Sequence, residues 1–123
     1  MMKKTFSKSE RLSTKTLIKE LFDKGSSFYF QPFKVLYLPS EASKEHQLLI
    51  SVPKKNHKLA VKRNRLKRRI REAYRLHKPK LQSTKKYLIA YIYISKEILE
   101  YAEIEKSILM INNRIKKSID EKV

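Results

Sequence analysis

The residues of this 123-residue sequence with the clearest chemical potential are basic and clustered. Thirteen Lys or Arg and a single acid, Glu72, fall between Lys54 and Lys80, so this segment carries +12 of a formal net charge of +18. Clustered cations bind a polyanion such as a nucleic acid by displacing the counterions condensed on its phosphates. Arginines outnumber lysines between Arg63 and Arg75, and their forked donors suit phosphates and unpaired bases. The segment predicts a nucleic-acid interface, with RNA slightly favoured over DNA.

The basic segment is predicted to form a helix with one apolar face and one basic face. Apolar side chains recur from Leu66 to His77 at offsets of 4, 7, 8 and 11, which trace one helical stripe that ends before Pro79. The polar face of this helix could instead be an ordinary solvated surface without a binding role. Such surfaces, however, normally mix positive and negative charges. A membrane-surface helix would keep its apolar side free for lipid, with more Leu, Phe or Trp. The face predicted to address phosphates consists of Asn64, Arg68, Arg71 and Arg75, flanked by Arg65 and Lys67.

The remaining side chains do not favour catalysis by the protein itself. The sequence has no cysteine, which excludes thiol nucleophiles, disulfides and cysteine-bound metals. The carboxylates form no evident pair for a metal, and the three histidines lack metal-ligand spacing. His77 falls on the apolar stripe, where a structural role is favoured. The single glycine, Gly25, excludes a glycine-rich phosphate loop, so we assign no catalytic or metal-binding residue.

The first half of the chain predicts one helix and two strands that position the basic helix. The helix runs from about Thr14 to Lys24, with Ser13 as its N-cap and Gly25 as its C-terminal stop. Aromatic and β-branched residues predict a strand over residues 33–38, while Pro32 limits the stretch before it to a sheet edge or a bulge. A second strand covers residues 47–52. Across a polar turn at residues 39–45, the two strands are expected to pair as an antiparallel hairpin.

The second half of the chain predicts a further strand and a long helix. Residues 87–94 alternate strictly between an aliphatic side and a largely aromatic side. Isoleucines at 104, 108, 111, 115 and 119 trace an amphipathic helix from about Tyr101 to Ile119 that should pack on the sheet. Residues 1–123 are therefore predicted to form a single α+β domain, a two-layer sandwich of a small mixed sheet and helices. No stretch approaches the ~18 apolar residues of a membrane span, and the N-terminus lacks a signal-peptide pattern.

The run from Ala60 to Tyr74 resembles the arginine–asparagine–arginine signature of the bacterial ribonuclease P protein component. The pattern is Ala-Val, one residue, Arg-Asn-Arg, one residue, Lys-Arg, two residues, and Arg-Glu or Arg-Gln, and every position is filled here at the same spacing. The flanking helix and strands are also similar to the family's, so the resemblance covers essentially the whole chain. The loop at residues 56–59 departs from the family by lacking its usual glycine and being one residue longer. The resemblance implies a small α+β domain that binds a catalytic RNA and assists removal of the 5′ leader from precursor tRNA.

Partners and site residues follow from the same resemblance. It implies a non-catalytic subunit of a cytoplasmic ribonucleoprotein endonuclease, whose hydrolytic chemistry belongs to the RNA and its magnesium ions rather than to a cofactor held by the protein. The expected partners are the catalytic RNA and precursor tRNA, with no membrane and no stable protein partner. From the signature and the basic face around it, the residues assigned to the RNA interface are Lys54, Lys55, Lys62, Arg63, Asn64, Arg65, Lys67, Arg68, Arg71 and Arg75.

The family also has a groove between the first helix and the open face of the sheet, where the single-stranded leader passes over aromatic side chains. Phe22 matches one aromatic position of this groove, and Ile18 falls at another. Leu36, or else its neighbour Tyr37, falls at a strand position, and Ser51 matches a strand serine near the leader. These matches imply a second RNA-binding surface, separate from the basic helix.

Aromatic residues of the strands leave two interpretations open. Unpaired bases stack on aromatic rings, so Tyr91 and Tyr93 are weighed equally as groove residues and as core residues. A core position is favoured for Phe28, Phe30 and Phe33.

Two other protein classes compete with this interpretation. A structural RNA-binding protein, such as a ribosomal protein, would suit the size and charge equally well, and only the signature separates the two. A helix-turn-helix DNA-binding protein would need two short helices joined by a tight turn before the basic helix. Residues 48–52 predict a strand there instead.

Overall fold

Helices and strands alternate along the part of the chain that the structure describes. This computed structural model describes residues 10–40, 46–77 and 86–121, with side chains to residue 117. The predicted α+β fold with a mixed sheet is confirmed. The elements in chain order are α1 (Lys15–Lys24), β1 (Ser26–Phe30), β2 (Phe33–Pro39), β3 (Gln47–Ser51), α2 (Ala60–His77), β4 (Tyr87–Tyr93) and α3 (Tyr101–Glu121).

The four strands form one sheet in the order β1-β2-β4-β3. Strands β1 and β2 pair antiparallel across a turn with a cis peptide between Gln31 and Pro32, and β2 pairs antiparallel with β4. Strand β3 pairs parallel with β4. The predicted hairpin of β2 and β3 is therefore wrong, because β4 lies between them. A crossover through α2 returns the chain to the sheet centre, where β4 buries side chains on both of its faces.

Helices cover both faces of the sheet, so the structure has three layers rather than the two that the sequence predicts. On one face, α2 and α3 pack against the aromatic side of β4, and the isoleucine stripe is buried as predicted from Ile104 to Ile115. The side chain of Ile119 lies outside the described residues. Phe33 is fully buried on this face, and Phe28 and Phe30 pack half-buried against the same cluster, as expected. None of the described helices is long and apolar enough to cross a membrane.

Helix α1 packs on the opposite face and has the predicted extent. Its buried contacts join Leu12 and Leu21 to Leu36, Leu88 and Ala90 of the sheet. The N-cap is Thr14 rather than the predicted Ser13, and its side chain makes no capping hydrogen bond.

Helix α1 ends at Gly25, where the backbone lies close to two carbonyl oxygens. Its N–H donates to the Leu21 carbonyl at 2.8 Å. A Cβ at this position would lie 2.4 Å from the same oxygen and 3.2 Å from the Tyr37 carbonyl. Glycine is therefore needed for space, since its φ of −69° is open to any residue.

Candidate nucleic-acid interface

The exposed side of α2 carries an uncompensated positive charge. Burial of Leu66, Ile70, Ala73 and Tyr74 against the sheet fixes the rotation of the helix about its axis, as the apolar stripe predicts. Apart from Arg75, none of the cations on this side of the helix has a carboxylate partner among the described residues. The predicted interface residues that are exposed are Lys54, Lys55, Lys62, Asn64, Arg65, Arg68 and Arg71, with Lys67 half-exposed beside them.

Two predicted interface arginines bind partners within the protein. Arg63 turns back toward the preceding loop, where its Nη1 donates to the carbonyls of His57 at 2.9 Å and Lys58 at 2.8 Å. Arg75 donates from Nε to Glu72 at 3.1 Å and from Nη2 to the other carboxylate oxygen. These hydrogen bonds lower the pKa of the Glu72 carboxyl and raise the pKa of Arg75. The only acid of the helix is thereby neutralised near its C-terminal end.

A third arginine, Arg69, which the sequence interpretation did not single out, connects α2 to the segment before α3. Its Nη1 donates to the Leu99 carbonyl at 2.5 Å. In turn, the Leu99 N–H donates to the Tyr93 hydroxyl at 3.2 Å. This chain of contacts fixes the middle of the basic helix relative to the end of β4.

The loop between β3 and α2 is anchored by His57, which sequence reasoning left without a role. The side chain is buried, with 5% of its surface exposed, and its ring centroid lies 5.7 Å from that of Tyr93. Nε2 lies 2.8 Å from the Ser95 carbonyl, and because a carbonyl only accepts, Nε2 carries the proton. The backbone N–H groups of Asn56 and His57 both donate to the Pro53 carbonyl at 3.2 Å. The only sequence feature that singled out this loop was the difference between residues 56–59 and the family's usual loop.

The predicted groove residues divide between an accessible surface and the core. Phe22 is 47% exposed on α1, and Ile18 packs half-buried at the edge of the α1 cluster. Ser51 is half-exposed at the end of β3. Leu36, in contrast, is only 5% exposed beneath α1, so its assignment to the groove surface is wrong. Tyr37 points to the opposite face, where its ring lies 6.1 Å from that of Phe28.

Tyr91 and Tyr93 belong to the core, so their assignment to the groove is wrong. Strand alternation turns both rings toward α2 and α3, and both are fully buried. The Tyr91 hydroxyl donates to Oδ1 of Asn112, a buried asparagine on α3, and burial raises the pKa of this tyrosine well above its usual value. The Tyr93 hydroxyl donates to the Glu97 carbonyl at 2.6 Å. Neither ring is available to stack on a base.

The described residues bring together no group of three or more His, Cys, Asp or Glu side chains that could hold a metal ion. His77 instead contacts Glu105 of α3, with Nε2 3.2 Å from the carboxylate. The Tyr101 hydroxyl donates to the same carboxylate oxygen at 3.2 Å. The His77–Glu105 contact joins α2 to α3, which agrees with the structural role favoured for His77.

Comparisons with known proteins give one family. The family model described as Ribonuclease P matches residues 6–116. A ribonuclease P protein component of Porphyromonas gingivalis is 41% identical over 108 residues, covering 82% of this chain and 79% of the relative. One of Lactobacillus gasseri is 39% identical over 82 residues, which cover 67% of each chain.

Solved structures agree with the sequence comparisons. A Staphylococcus aureus RNase P protein, a mutant with defective mRNA degradation activity, superposes with a TM-score of 0.76 at 26% identity, covering 89% of this chain and 90% of that one. The RNase P protein from Thermotoga maritima has a TM-score of 0.72 at 27% identity, with coverage of 85% and 96%.

Proposed function

Because this chain belongs to the ribonuclease P protein family, we propose that it is the RNA-binding, non-catalytic subunit of a ribonuclease P that matures the 5′ end of tRNA. In this proposal the protein binds the catalytic RNA and the 5′ leader of precursor tRNA in the cytoplasm. The hydrolytic chemistry belongs to the RNA partner and its magnesium ions. The observation that carries the proposal is the uncompensated cationic side of α2, continued by Lys54 and Lys55 in the anchored loop.

The length of α2 suits a polyanionic partner. Its 18 residues extend over about 27 Å, so exposed cations along it can reach several phosphates at once. Lys62, Arg65 and Arg68 are successive members of this exposed side, at spacings of three residues. Each phosphate contact releases condensed counterions, so the affinity for RNA should depend steeply on salt.

A second surface on the α1 side of the sheet suits the leader. Phe22 offers an exposed aromatic ring for an unpaired base, and Ser51 provides a hydroxyl on the same side of the sheet. The basic loop follows β3 directly, so Lys54 and Lys55 lie close to Ser51 at the end of this edge strand. A leader that leaves the catalytic RNA at this edge can pass directly into the groove.

Salt-dependent binding to a bacterial ribonuclease P RNA tests the proposed interface. We expect an Arg65→Ala, Arg68→Ala double variant to bind more weakly and to reduce the slope of log affinity against log salt by about two, because two phosphate contacts are lost. Affinity measured by fluorescence anisotropy over a series of KCl concentrations gives both values. A Lys116→Ala, Lys117→Ala variant removes the same charge from exposed positions on α3 and is the matched control. Equal slopes for the two variants would place the RNA interface elsewhere.

A further inference from the structure

One row of side chains crosses the whole sheet on the α1 side. Tyr29 of β1 lies opposite Lys34 of β2, and Lys34 lies opposite Ile92 of β4. Ile92 in turn lies opposite Ser51 of β3. Paired residues of neighbouring strands share a face, and Ile92 packs at the margin of the α1 cluster, so all four side chains lie on the α1 face.

This row is the accessible part of that face. The adjacent row contains Leu36 and Ala90, both buried beneath α1. In the accessible row, Lys34, Ile92 and Ser51 are half-exposed, and the exposed fraction of Tyr29 reaches 67%. The row therefore forms a floor beside α1 that extends from one edge strand to the other.

Tyr29 and Lys34 combine an aromatic surface with a positive charge at the β1 end of this floor. The Lys34 Nζ lies 5.6 Å from the centroid of the Tyr29 ring, within the range of a cation–π contact. No carboxylate pairs with Lys34 among the described residues. A single exposed tyrosine is ordinary on a protein surface. A tyrosine beside a lysine that has no carboxylate partner among the described residues, in the same row as Ser51, combines the aromatic ring and the positive charge that single-strand-binding proteins use.

We propose that Tyr29 and Lys34 form a distal subsite for the 5′ leader at the β1 edge of the sheet. A leader base stacks on the Tyr29 ring while the Lys34 ammonium neutralises an adjacent phosphate. The proposal rests on the function proposed above and extends it, because it gives the leader a binding position that the signature residues, Phe22 and Ser51 do not provide.

The sheet order sets the position of this subsite along the leader. The basic loop follows β3, and β1 is the opposite edge of the sheet, so a leader that enters at Ser51 reaches Tyr29 last. The path crosses three strand spacings, about 14 Å, which is roughly four nucleotides of a stacked strand. Only precursors whose leaders extend that far beyond the Ser51 position can use the subsite.

The test is the affinity of the protein–RNA holoenzyme for precursor tRNAs whose leaders lengthen from zero to ten nucleotides, one at a time. For the wild type, affinity should rise with leader length until the floor is filled. The affinity of Tyr29→Ala should increase with leader length as in the wild type while the leader is short. It should lack the final increase at long lengths, so that this variant binds long-leader precursors about fivefold to tenfold more weakly than the wild type. Lys34→Ala should also lack this final increase in affinity, whereas Tyr29→Phe should retain it because the aromatic ring remains.

Several results would overturn the subsite. Equal affinities of Tyr29→Ala and wild type at every leader length would do so, as would an equal loss for leaderless tRNA. A changed sedimentation coefficient of free Tyr29→Ala protein would assign the β1 edge to contact between copies instead. Failure of the broader proposal looks different, because neither wild type nor Phe22→Ala would then show any dependence on leader length. Tyr29 is exposed, so its substitution should leave the thermal unfolding of the protein unchanged.

Discussion

Neighbouring arginines in the basic helix have different tasks. Arg63 is half-buried and donates to two loop carbonyls, whereas Arg65 is exposed and has no partner among the described residues. The signature treats both as RNA-interface residues. In the structure, Arg63 also stabilises the loop that presents Lys54 and Lys55.

This difference predicts opposite effects on stability. Arg63→Ala should lower the free energy of unfolding by about 1–2 kcal/mol, since a charged donor to two carbonyls is lost at a partly exposed site. Arg65→Ala should change it by less than about 0.5 kcal/mol, as expected for an exposed residue without contacts. Urea unfolding of the free protein measures both values. Equal destabilisation by the two variants would contradict the separation of roles.

Helical spacing explains which of these properties could be predicted. The apolar stripe from Leu66 to Tyr74 sets the direction of every Cβ on α2, so the exposed face follows from the sequence. It does not set the end of a long side chain, which has several rotatable bonds and binds the nearest acceptor. The contacts of Arg63 therefore emerged only from the structure, whereas the Glu72–Arg75 pair has the i,i+3 spacing of neighbours on a helix surface.

At the level of elements, the connection from β3 to α2 determines where the basic surface lies. His57 occupies the centre of this connection, with its ring against Tyr93 and its Nε2 proton on the Ser95 carbonyl. The contact fixes the loop to the end of β4, one of the two inner strands of the sheet. His57 therefore acts as a positioning residue for the cations on either side of it.

Loss of this anchor should affect both the loop and RNA binding. His57→Ala should accelerate hydrogen exchange of the Asn56 and His57-position amides, leave the α1 amides unchanged, and weaken binding of the catalytic RNA several-fold. His57→Gln, which keeps an N–H donor at the end of the side chain, should restore part of both properties. Hydrogen exchange by NMR and anisotropy titrations provide the two readouts. Unchanged loop protection in His57→Ala, together with wild-type affinity, would rule out the anchoring role.

Local sequence patterns predicted the strands but not how the strands pair in the sheet. The period-two alternation of residues 87–94 predicts two faces for β4, and the structure confirms both over residues 87–93. It could not state which face meets α1, so the position of Tyr91 and Tyr93 was left open. The antiparallel hairpin of β2 and β3 was inferred from their short separation in sequence. The need to bury both faces of β4 places that strand between them instead.

At the scale of the molecule, exposed charge is distributed unevenly over the part of the chain that the structure describes. Exposed acids gather at and before the start of α3, at Glu97, Glu100 and Glu103, whereas the exposed cations of α2 and its loop are unpaired among the described residues. Such separation orients a protein in the field of a polyanion and accelerates association at low salt. The composition predicted a polyanionic partner, but only the fold shows which cations of α2 and its loop remain exposed.

The most direct test of the central claim is single-turnover cleavage of a 5′-extended precursor tRNA at limiting magnesium. The reaction is run with a bacterial ribonuclease P RNA alone, with this protein alone, and with both together. We expect the RNA alone to cleave slowly, the protein alone not at all, and the two together much faster at the same phosphodiester bond. Cleavage by the protein alone, or no stimulation despite tight binding to the RNA, would contradict the account.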